Sequence, residues 1–190
     1  MNVIGLLLAA GSATRFGSDK LRHRLPHGVP IAVQSARHLR AEVERLVAVV
    51  RDQDMKILLA DEDCEAVVFE KAAEGMGASL AYAARAAGRA DGYLVALADM
   101  PFIRPSSIAA VRAALEAGAP LAAPYFRARR GHPVGIGGIF FDTLLDLRGD
   151  QGAKQLLREN EPRLVKIPVG DPGVIRDIDT PSDLAPPIVV

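Results

Sequence analysis

The chain has 190 residues, 49% of them hydrophobic, and no formal net charge, because 23 basic residues balance 23 acidic ones. This length predicts one domain over residues 1–190, with a short tail at 185–190. The charge balance argues against a nucleic-acid partner, since general nucleic-acid binders usually carry a basic excess. A single cysteine, Cys64, excludes an internal disulfide and gives no sign of secretion.

The apolar N-terminal run, residues 3–8, predicts a strand and not a targeting signal. No basic residue precedes it, whereas Arg15 and Lys20 follow it. No apolar run approaches the roughly 20 residues that a membrane span requires. We therefore expect a cytoplasmic protein with no membrane partner.

Strand and helix patterns alternate along the chain. Predicted strands lie at 3–8, 46–50, 65–70, 93–97, 121–123 and 164–167, and predicted helices at 31–46, 54–60, 80–87, 105–116, 139–147 and 154–159. This alternation predicts an α/β fold of three layers, α/β/α, with a mostly parallel, Rossmann-like sheet.

The first predicted strand ends in small residues, which are followed by two cations. Ala-Ala-Gly-Ser at 9–12 lets the backbone turn with exposed N–H groups, on which a phosphate can sit. Arg15 and Lys20 both suit anionic oxygens. A P-loop is excluded because Gly11 and Gly17 lie one residue too far apart, and there is no Gly-x-Gly-x-x-Gly fingerprint. The pattern predicts a loop that binds a nucleoside triphosphate. The alternative is an ordinary strand-to-helix turn with solvated charges.

A glycine turn precedes the helix predicted at 80–87. Gly75 and Gly77 let the backbone pass close to a flat or charged group, and Ser79 is a candidate N-cap before Leu80. This turn is either a nucleotide-lining loop or only a glycine loop with a helix cap.

An aspartate follows the buried strand predicted at 93–97. Ligands of open α/β sheets bind beyond the carboxyl ends of the strands, where Asp99, Met100 and Pro101 lie. A carboxylate there suits Mg²⁺, which bridges protein oxygens and substrate phosphates. The alternative is a plain turn aspartate.

Three later segments contain further polar residues. Gly131, His132 and Pro133 follow a basic stretch, which is either a lid over an anionic second substrate or a solvated hairpin. Gly149, Asp150 and Gly152 form a tight turn, in which Asp150 is also a candidate N-cap. In an extended segment at 175–179, the carboxylates of Asp177 and Asp179 share one face with Ile175.

These segments, taken together, resemble the nucleotidyltransferases that activate molybdopterin. The resembling motifs are Leu-Ala-Ala-Gly-Ser-x-x-Arg-Phe-Gly-x-x-Lys at 8–20, Gly-x-x-x-Ser-Leu at 75–80, Ala-Asp-Met-Pro at 98–101, Gly-His-Pro-Val at 131–134, Gly-Asp-x-Gly-Ala at 149–153 and Asp-Ile-Asp-Thr-Pro-x-Asp-Leu at 177–184. Leu-Ala-Ala-Gly is similar to the cytidylyltransferase branch, whereas the guanylyltransferase branch more often has Leu-Ala-Gly-Gly. One departure is Val29, which stands where the family pattern has a lysine.

The resemblance implies a fold of the nucleotide-diphospho-sugar transferase type and a Mg²⁺-dependent transfer of CMP from CTP to the terminal phosphate of molybdopterin. It implies catalytic roles for Arg15, Lys20 and Asp99, and metal binding by Asp99 with Asp179 or Asp177, of which Asp179 is favoured. It implies nucleotide binding by Ala9, Ala10, Gly11, Ser12, Arg15, Lys20, Gly75, Gly77, Ser79 and Leu80. It implies acceptor binding by Met100, Pro101, Gly131, His132, Pro133, Gly149, Asp150 and Gly152.

The implied partner is a molybdenum hydroxylase of the xanthine dehydrogenase type, which would receive the product. Two other functions remain open from the sequence. The same fold can use GTP or another phosphorylated acceptor, and a non-catalytic carrier of molybdenum cofactor would bind nucleotide without releasing pyrophosphate.

Overall fold

The computed structural model describes residues 1–11 and 19–184. Its strands are β1 (Val3–Ala9), β2 (Arg45–Val50), β3 (Glu65–Val68), β4 (Gly92–Leu97), β5 (Leu121–Phe126), β6 (Arg129–Arg130), β7 (Val134–Gly137) and β8 (Leu164–Pro168). Its helices are α1 (Ile31–Arg40), α2 (Gln53–Ala60), α3 (Met76–Ala87), α4 (Pro105–Glu116), α5 (Phe141–Leu145) and α6 (Lys154–Glu159). None of the helices in these two ranges is long and apolar enough to cross a membrane.

The strands form one mixed sheet that is mostly parallel. Along the sheet the order is β3, β2, β1, β4, β7 and β5, and β5 also pairs with β6 and β8. Strands β3, β2, β1 and β4 are parallel neighbours, and β8 runs parallel to β5. Strand β7 runs antiparallel to both β4 and β5. This arrangement confirms the predicted α/β fold with a mostly parallel sheet.

Helices cover both faces of the sheet, so the three predicted layers are confirmed. Side chains alternate across a strand, and in β1 Leu7 belongs to one core cluster while Leu6 belongs to the other. Helices α1, α2 and α4 contribute to the Leu7 cluster. Helices α3, α5 and α6 contribute to the Leu6 cluster. Because both faces are buried, β1 is an almost uninterrupted apolar run.

Strand β7 was not predicted from the sequence. Its sequence, Val-Gly-Ile-Gly, has little of the β-branched content that marks a strand. Gly135 is required there, because a Cβ at this position would lie 2.8 Å from the side chain of Val111 in α4. From the sequence Gly135 suggests a turn. The structure shows that it is a strand residue that allows α4 to pack closely.

Two predicted N-caps and one predicted extended segment are wrong. Helix α3 begins at Met76, four residues before Leu80, and the Ser79 hydroxyl donates to the Gly75 carbonyl at 3.2 Å. The turn at 149–152 is a 3-10 turn, and no side-chain cap bond forms at the start of α6. Ile175 ends a 3-10 turn, so it does not share an extended segment with Asp177 and Asp179.

A buried carboxylate ties the start of α4 to the C-terminal part of the chain. Asp171 is only 3% exposed. Its Oδ2 accepts from the Arg104 backbone N–H at 2.9 Å and from the Ser107 hydroxyl at 2.8 Å. Its Oδ1 accepts from the Gly173 N–H at 2.9 Å. One side chain thus satisfies three donors from two distant segments.

Replacing Asp171 by alanine should lower the free energy of unfolding by about 3 kcal/mol, because it leaves buried donors without an acceptor. Urea unfolding followed by circular dichroism measures the change. Asp146→Ala is the matched control, because Asp146 is exposed, and a change within about 0.5 kcal/mol is expected there. Equal stability of Asp171→Ala and the native chain would contradict this role.

Candidate active site

The candidate site lies at the carboxyl ends of two neighbouring strands. β1 and β4 are paired in register, with Leu8 opposite Leu97. The chain therefore leaves β1 at Gly11 and β4 at Asp99 on the same edge of the sheet. Ala9 and Ala10 are buried, whereas Gly11 is exposed. Of the residues predicted for this loop, Ser12 and Arg15 lie outside the described residues.

Lys20 lies between two carboxylates that come from distant parts of the chain. Its Nζ donates to Asp99 Oδ2 at 2.9 Å and to Asp179 Oδ1 at 3.4 Å. The lysine side chain is 11% exposed, the Asp99 side chain 25% and the Asp179 side chain 48%. Burial alone would lower the pKa of Lys20, but the two carboxylates outweigh it, so the pKa is raised. The amine is therefore held as an ammonium at neutral pH.

Backbone and side-chain hydrogen bonds hold the two segments that contain Asp99 and Asp179. The Asp99 carbonyl accepts from the Ile178 N–H at 2.9 Å, which joins the two segments. Asp183 Oδ2 accepts from the N–H of Asp179 at 3.2 Å and from the N–H and hydroxyl of Thr180 at 2.8 and 2.7 Å. These bonds, first among them those from Thr180, lower the pKa of Asp183. The turn at 179–183 thereby positions the Asp179 carboxylate.

The segment that carries Lys20 is anchored to the start of α2. Arg22, in the same 3-10 turn as Lys20, bonds to Asp19 and to Asp52. Asp52 is the N-cap of α2 and accepts from the Met55 N–H at 2.9 Å. That hydrogen bond is the main cause that lowers the pKa of Asp52. The sequence shows that Arg22, Asp19 and Asp52 are charged, but only the tertiary fold shows that they pair.

A cavity of about 370 Å³ opens beside Lys20 and Asp99. The described residues that line it are Leu8, Ala10, Gly11, Lys20, Leu21, Ala72, Ala73, Gly75, Met76, Ser79, Leu97, Asp99 and Asp150. Lys20 and Asp99 lie where the chain leaves β1 and β4, and Asp150 lies against Gly75 at the start of α3. The structure thus brings the first loop, the glycine turn and the Asp99 turn together around one space.

Ala72, Ala73 and Leu97 are lining residues that sequence reasoning missed. Ala72 and Ala73 belong to a 3-10 turn before α3, and small apolar residues carry no chemical signal of a site. Leu97 is half-buried at the end of β4. The one feature of the sequence that indicates a role for Leu97 in the cavity is its position directly before the Ala98–Pro101 turn.

The turn at 149–152 lies against the N-terminal end of α3. A Cβ on Gly77 would lie 2.6 Å from the Arg148 carbonyl oxygen. A Cβ on Gly75 would clash with Asp150 Oδ1 and with the Gly149 carbonyl. Both glycines therefore allow this turn to approach the helix. Asp150 lines the same cavity as Gly75 and Ser79, while Gly152 is buried against Met76.

The segment 131–133 lies next to the Asp99 end of the site. The His132 N–H donates to the Val174 carbonyl at 2.8 Å, and a Cβ on Gly131 would clash with Val174. His132 Nδ1 is buried and has no hydrogen-bond partner in the described parts of the chain. Burial lowers the pKa of His132, and a hydrogen bond with the Val95 backbone and the nearby Asp99 carboxylate only partly oppose this. The ring is therefore a neutral imidazole at pH 7.

The other residues predicted on the acceptor side are mostly buried. Met100 is 4% exposed, and Pro101 and Pro133 are buried as well. Pro101 also lines a second cavity, of about 380 Å³, with Phe102 and Leu25 on the α1 side of the sheet. Leu80 is fully buried, and its side chain lies in the core and not in the lining of the cavity of about 370 Å³.

The carboxylate pair is the donor set available for a divalent cation. Both carboxylates already reach one cationic point, Lys20 Nζ, so their oxygens converge. Asp177 is exposed, and Asp179 is the one that reaches Lys20. Residues 1–11 and 19–184 hold no group of three or more His, Cys, Asp or Glu that could bind a metal. Two carboxylates with substrate phosphates are a typical Mg²⁺ environment.

Several solved structures resemble this chain throughout its length. The manganese complex of Rv0371c from Mycobacterium tuberculosis H37Rv matches with a TM-score of 0.79 and 23% identity over 96% of each chain. A nucleotidyl transferase from Methanothermobacter thermautotroptrophicus, Mth528, matches with a TM-score of 0.80 and 22% identity, over 96% of this chain and 94% of that one. The CTP complex of CMP:2-keto-3-deoxy-manno-octonic acid synthetase matches with a TM-score of 0.75 and 15% identity, over 97% and 95%.

These likenesses establish a fold of the nucleotide-diphospho-sugar transferase type, as expected. No curated protein matches the chain significantly. The family model described as "MobA-like NTP transferase domain" matches residues 5–164, most of the chain. The protein therefore belongs to the MobA-like NTP transferase family and is a nucleotidyltransferase.

Proposed function

We propose that the protein transfers CMP from CTP to the terminal phosphate of molybdopterin and releases pyrophosphate. The observation that carries this proposal is the placement of Lys20 between Asp99 and Asp179, beside the Gly11 turn. The cytidine preference rests on the Leu-Ala-Ala-Gly sequence at 8–11. The product would pass to a molybdenum hydroxylase of the xanthine dehydrogenase type.

In the proposed reaction, a phosphate oxygen of the acceptor attacks the α-phosphorus of CTP. A new P–O bond forms, the bond between the α-phosphorus and the bridging oxygen breaks, and its electron pair leaves with pyrophosphate. The attacking phosphate is already ionised, so no general base is required. A neutral, buried His132 agrees with that requirement, since it would contact the acceptor without taking a proton.

Lys20 would hold the triphosphate. Its ammonium is positioned by two carboxylates, so little conformational entropy is lost when it meets a phosphate oxygen. Positive charge held close to the reacting phosphates stabilises charge that develops in the transition state. Arg15 and Ser12, with the backbone of Ala9, Ala10 and Gly11, would complete the triphosphate grip.

Asp99 and Asp179 would hold a divalent cation, most simply Mg²⁺. Bound there, the ion would neutralise charge on the phosphates and on the leaving group. The convergence of the two carboxylates on Lys20 Nζ supports this assignment. The mycobacterial Rv0371c structure was solved in complex with manganese, which supports a divalent cation as the metal.

The remaining residues would divide between the two substrates. Gly75, Gly77, Ser79 and Leu80 would form the nucleotide wall, in keeping with the cavity that Gly75 and Ser79 line. Met100, Pro101 and the segment 131–133 would face the acceptor. The turn with Gly149, Asp150 and Gly152, which the resemblance assigns to the acceptor, lies against the nucleotide wall.

The first experiment is pyrophosphate release with Mg²⁺ and molybdopterin, offering CTP, GTP and ATP in parallel. Release with CTP alone is the expected result. Release with GTP would keep the chemistry and overturn the cytidine preference. Nucleotide binding without release would favour a different phosphorylated acceptor or a non-catalytic carrier.

Lys20→Met should lower kcat by about 100-fold or more, because one preorganised charge on the transferring phosphates is lost. Stopped-time assays of pyrophosphate release measure the effect. Lys56→Met removes an exposed lysine from α2 and is the matched control, with unchanged kcat expected. Full activity of Lys20→Met with native-like circular dichroism would rule out this role.

Asp99→Asn and Asp179→Asn should each lower activity by about 100-fold and raise the Mg²⁺ concentration that gives half-maximal rate. Asp177→Asn is the matched control, because Asp177 is exposed two residues from Asp179. A Mg²⁺ titration of initial rates compares the three variants. A Mg²⁺ shift in Asp177→Asn, with a normal Asp179→Asn, would assign the metal to the other carboxylate.

A further inference from the structure

We infer that Asp150 selects the nucleobase by accepting a hydrogen bond from its exocyclic amino group. This inference rests on the proposed function, in which that group is N4 of cytosine. It moves Asp150 from the acceptor side, where the sequence resemblance assigned it, to the base end of the nucleotide cavity.

The first step is the location of the Asp150 side chain. The turn at 149–152 is seated on the N-terminal end of α3, where a Cβ on Gly75 would clash with Asp150 Oδ1. Gly75 has a φ of 110°, a backbone conformation that favours glycine. Because glycine has no side chain, the Asp150 carboxylate can lie directly against it. Asp150 thereby becomes a lining residue of the cavity that also contains Lys20 and Asp99.

The second step is the charge pattern along that cavity. Its charged lining residues among those described are Lys20, Asp99 and Asp150. The first two are paired with each other at 2.9 Å and define the phosphate end. Asp150 has no hydrogen-bond or ion-pair partner within residues 1–11 and 19–184, and it accepts from no N–H group of α3 in that part of the chain. Its carboxylate is therefore available to a ligand.

The third step is what a carboxylate can recognise there. An ionised carboxylate only accepts hydrogen bonds, and its negative charge makes a direct contact with the triphosphate unfavourable. The lining of the same cavity includes small and apolar residues, Ala72, Ala73 and Met76, which suit the face of a planar base. Cytosine offers the N4 amino donor that Asp and Glu accept, whereas uracil offers a carbonyl oxygen at the same position. The site would therefore bind CTP and disfavour UTP.

The test is calorimetric titration of CTP, UTP, GTP and ITP into the Mg²⁺-loaded full chain, without acceptor. The native protein should bind CTP at least about 10-fold more tightly than UTP, as expected for one hydrogen bond to a charged group. Asp150→Asn should bring the CTP-to-UTP affinity ratio close to one, because an amide both accepts from N4 and donates to O4. Asp150→Ala should weaken CTP by about 10-fold and leave UTP unchanged.

Asp146→Asn is the matched control, since Asp146 is exposed and does not line the cavity. It should keep the native affinity ratio. Thermal unfolding of each variant checks whether Asp150 acts only by stabilising the start of α3. A lower Tm with an unchanged affinity ratio would overturn the inference, as would an equal loss of CTP and UTP binding.

The four nucleotides separate this inference from the proposed function. Preference of the native chain for GTP would overturn the cytidine assignment alone. The GTP-to-ITP ratio would then decide the role of Asp150, because ITP lacks the amino group of guanine. A ratio that falls in Asp150→Asn supports recognition of an amino group, and an unchanged ratio overturns it.

Discussion

The candidate active site depends on one ammonium that holds two carboxylates together. Lys20 is separated from Asp99 by 79 residues and from Asp179 by 159. Two carboxylates that converge without a cation would repel each other, and Lys20 removes that repulsion. The contact therefore joins the 3-10 turn that contains Lys20, the end of β4 and the C-terminal segment. The hydrogen bond from Ile178 to Asp99 and the turn closed by Asp183 make this joint rigid.

The central fold could be predicted because its strands are buried on both faces. Uninterrupted apolar runs mark β1, β2 and β4, and their alternation with helices leaves few topologies. Strand β7 could not be predicted from local propensity, because tertiary contacts select its glycines: Gly135 lies against α4 and Gly137 against the Pro120 backbone. The start of α3 could not be predicted for a related reason. In the sequence Gly75 looks like a loop residue. In the structure it is the N-cap of α3, and its lack of a side chain leaves room for the 149–152 turn.

The residues of the candidate site that follow directly on a strand could be predicted from the sequence. Those in turns from distant parts of the chain, such as 149–152, could not. Asp99 follows a strand whose carboxyl end must face the ligand edge, so topology alone places it. The side on which the 149–152 turn packs depends on α5 and on the approach of Arg148 to Gly77. Sequence spacing contains no information about that approach. The choice of Asp179 over Asp177 likewise required the observed contact with Lys20.

The cavity beside Lys20 is built by two different parts of the fold. One part is the carboxyl edge of the sheet, where Lys20 is paired with Asp99. The other part is the start of α3 together with the 149–152 turn, which packs against Gly75 and Gly77. Under the proposed function, a change in this second part would alter the base that is bound without disturbing the charges at the phosphates. In such a fold, nucleotide preference can diverge while the transfer chemistry stays constant.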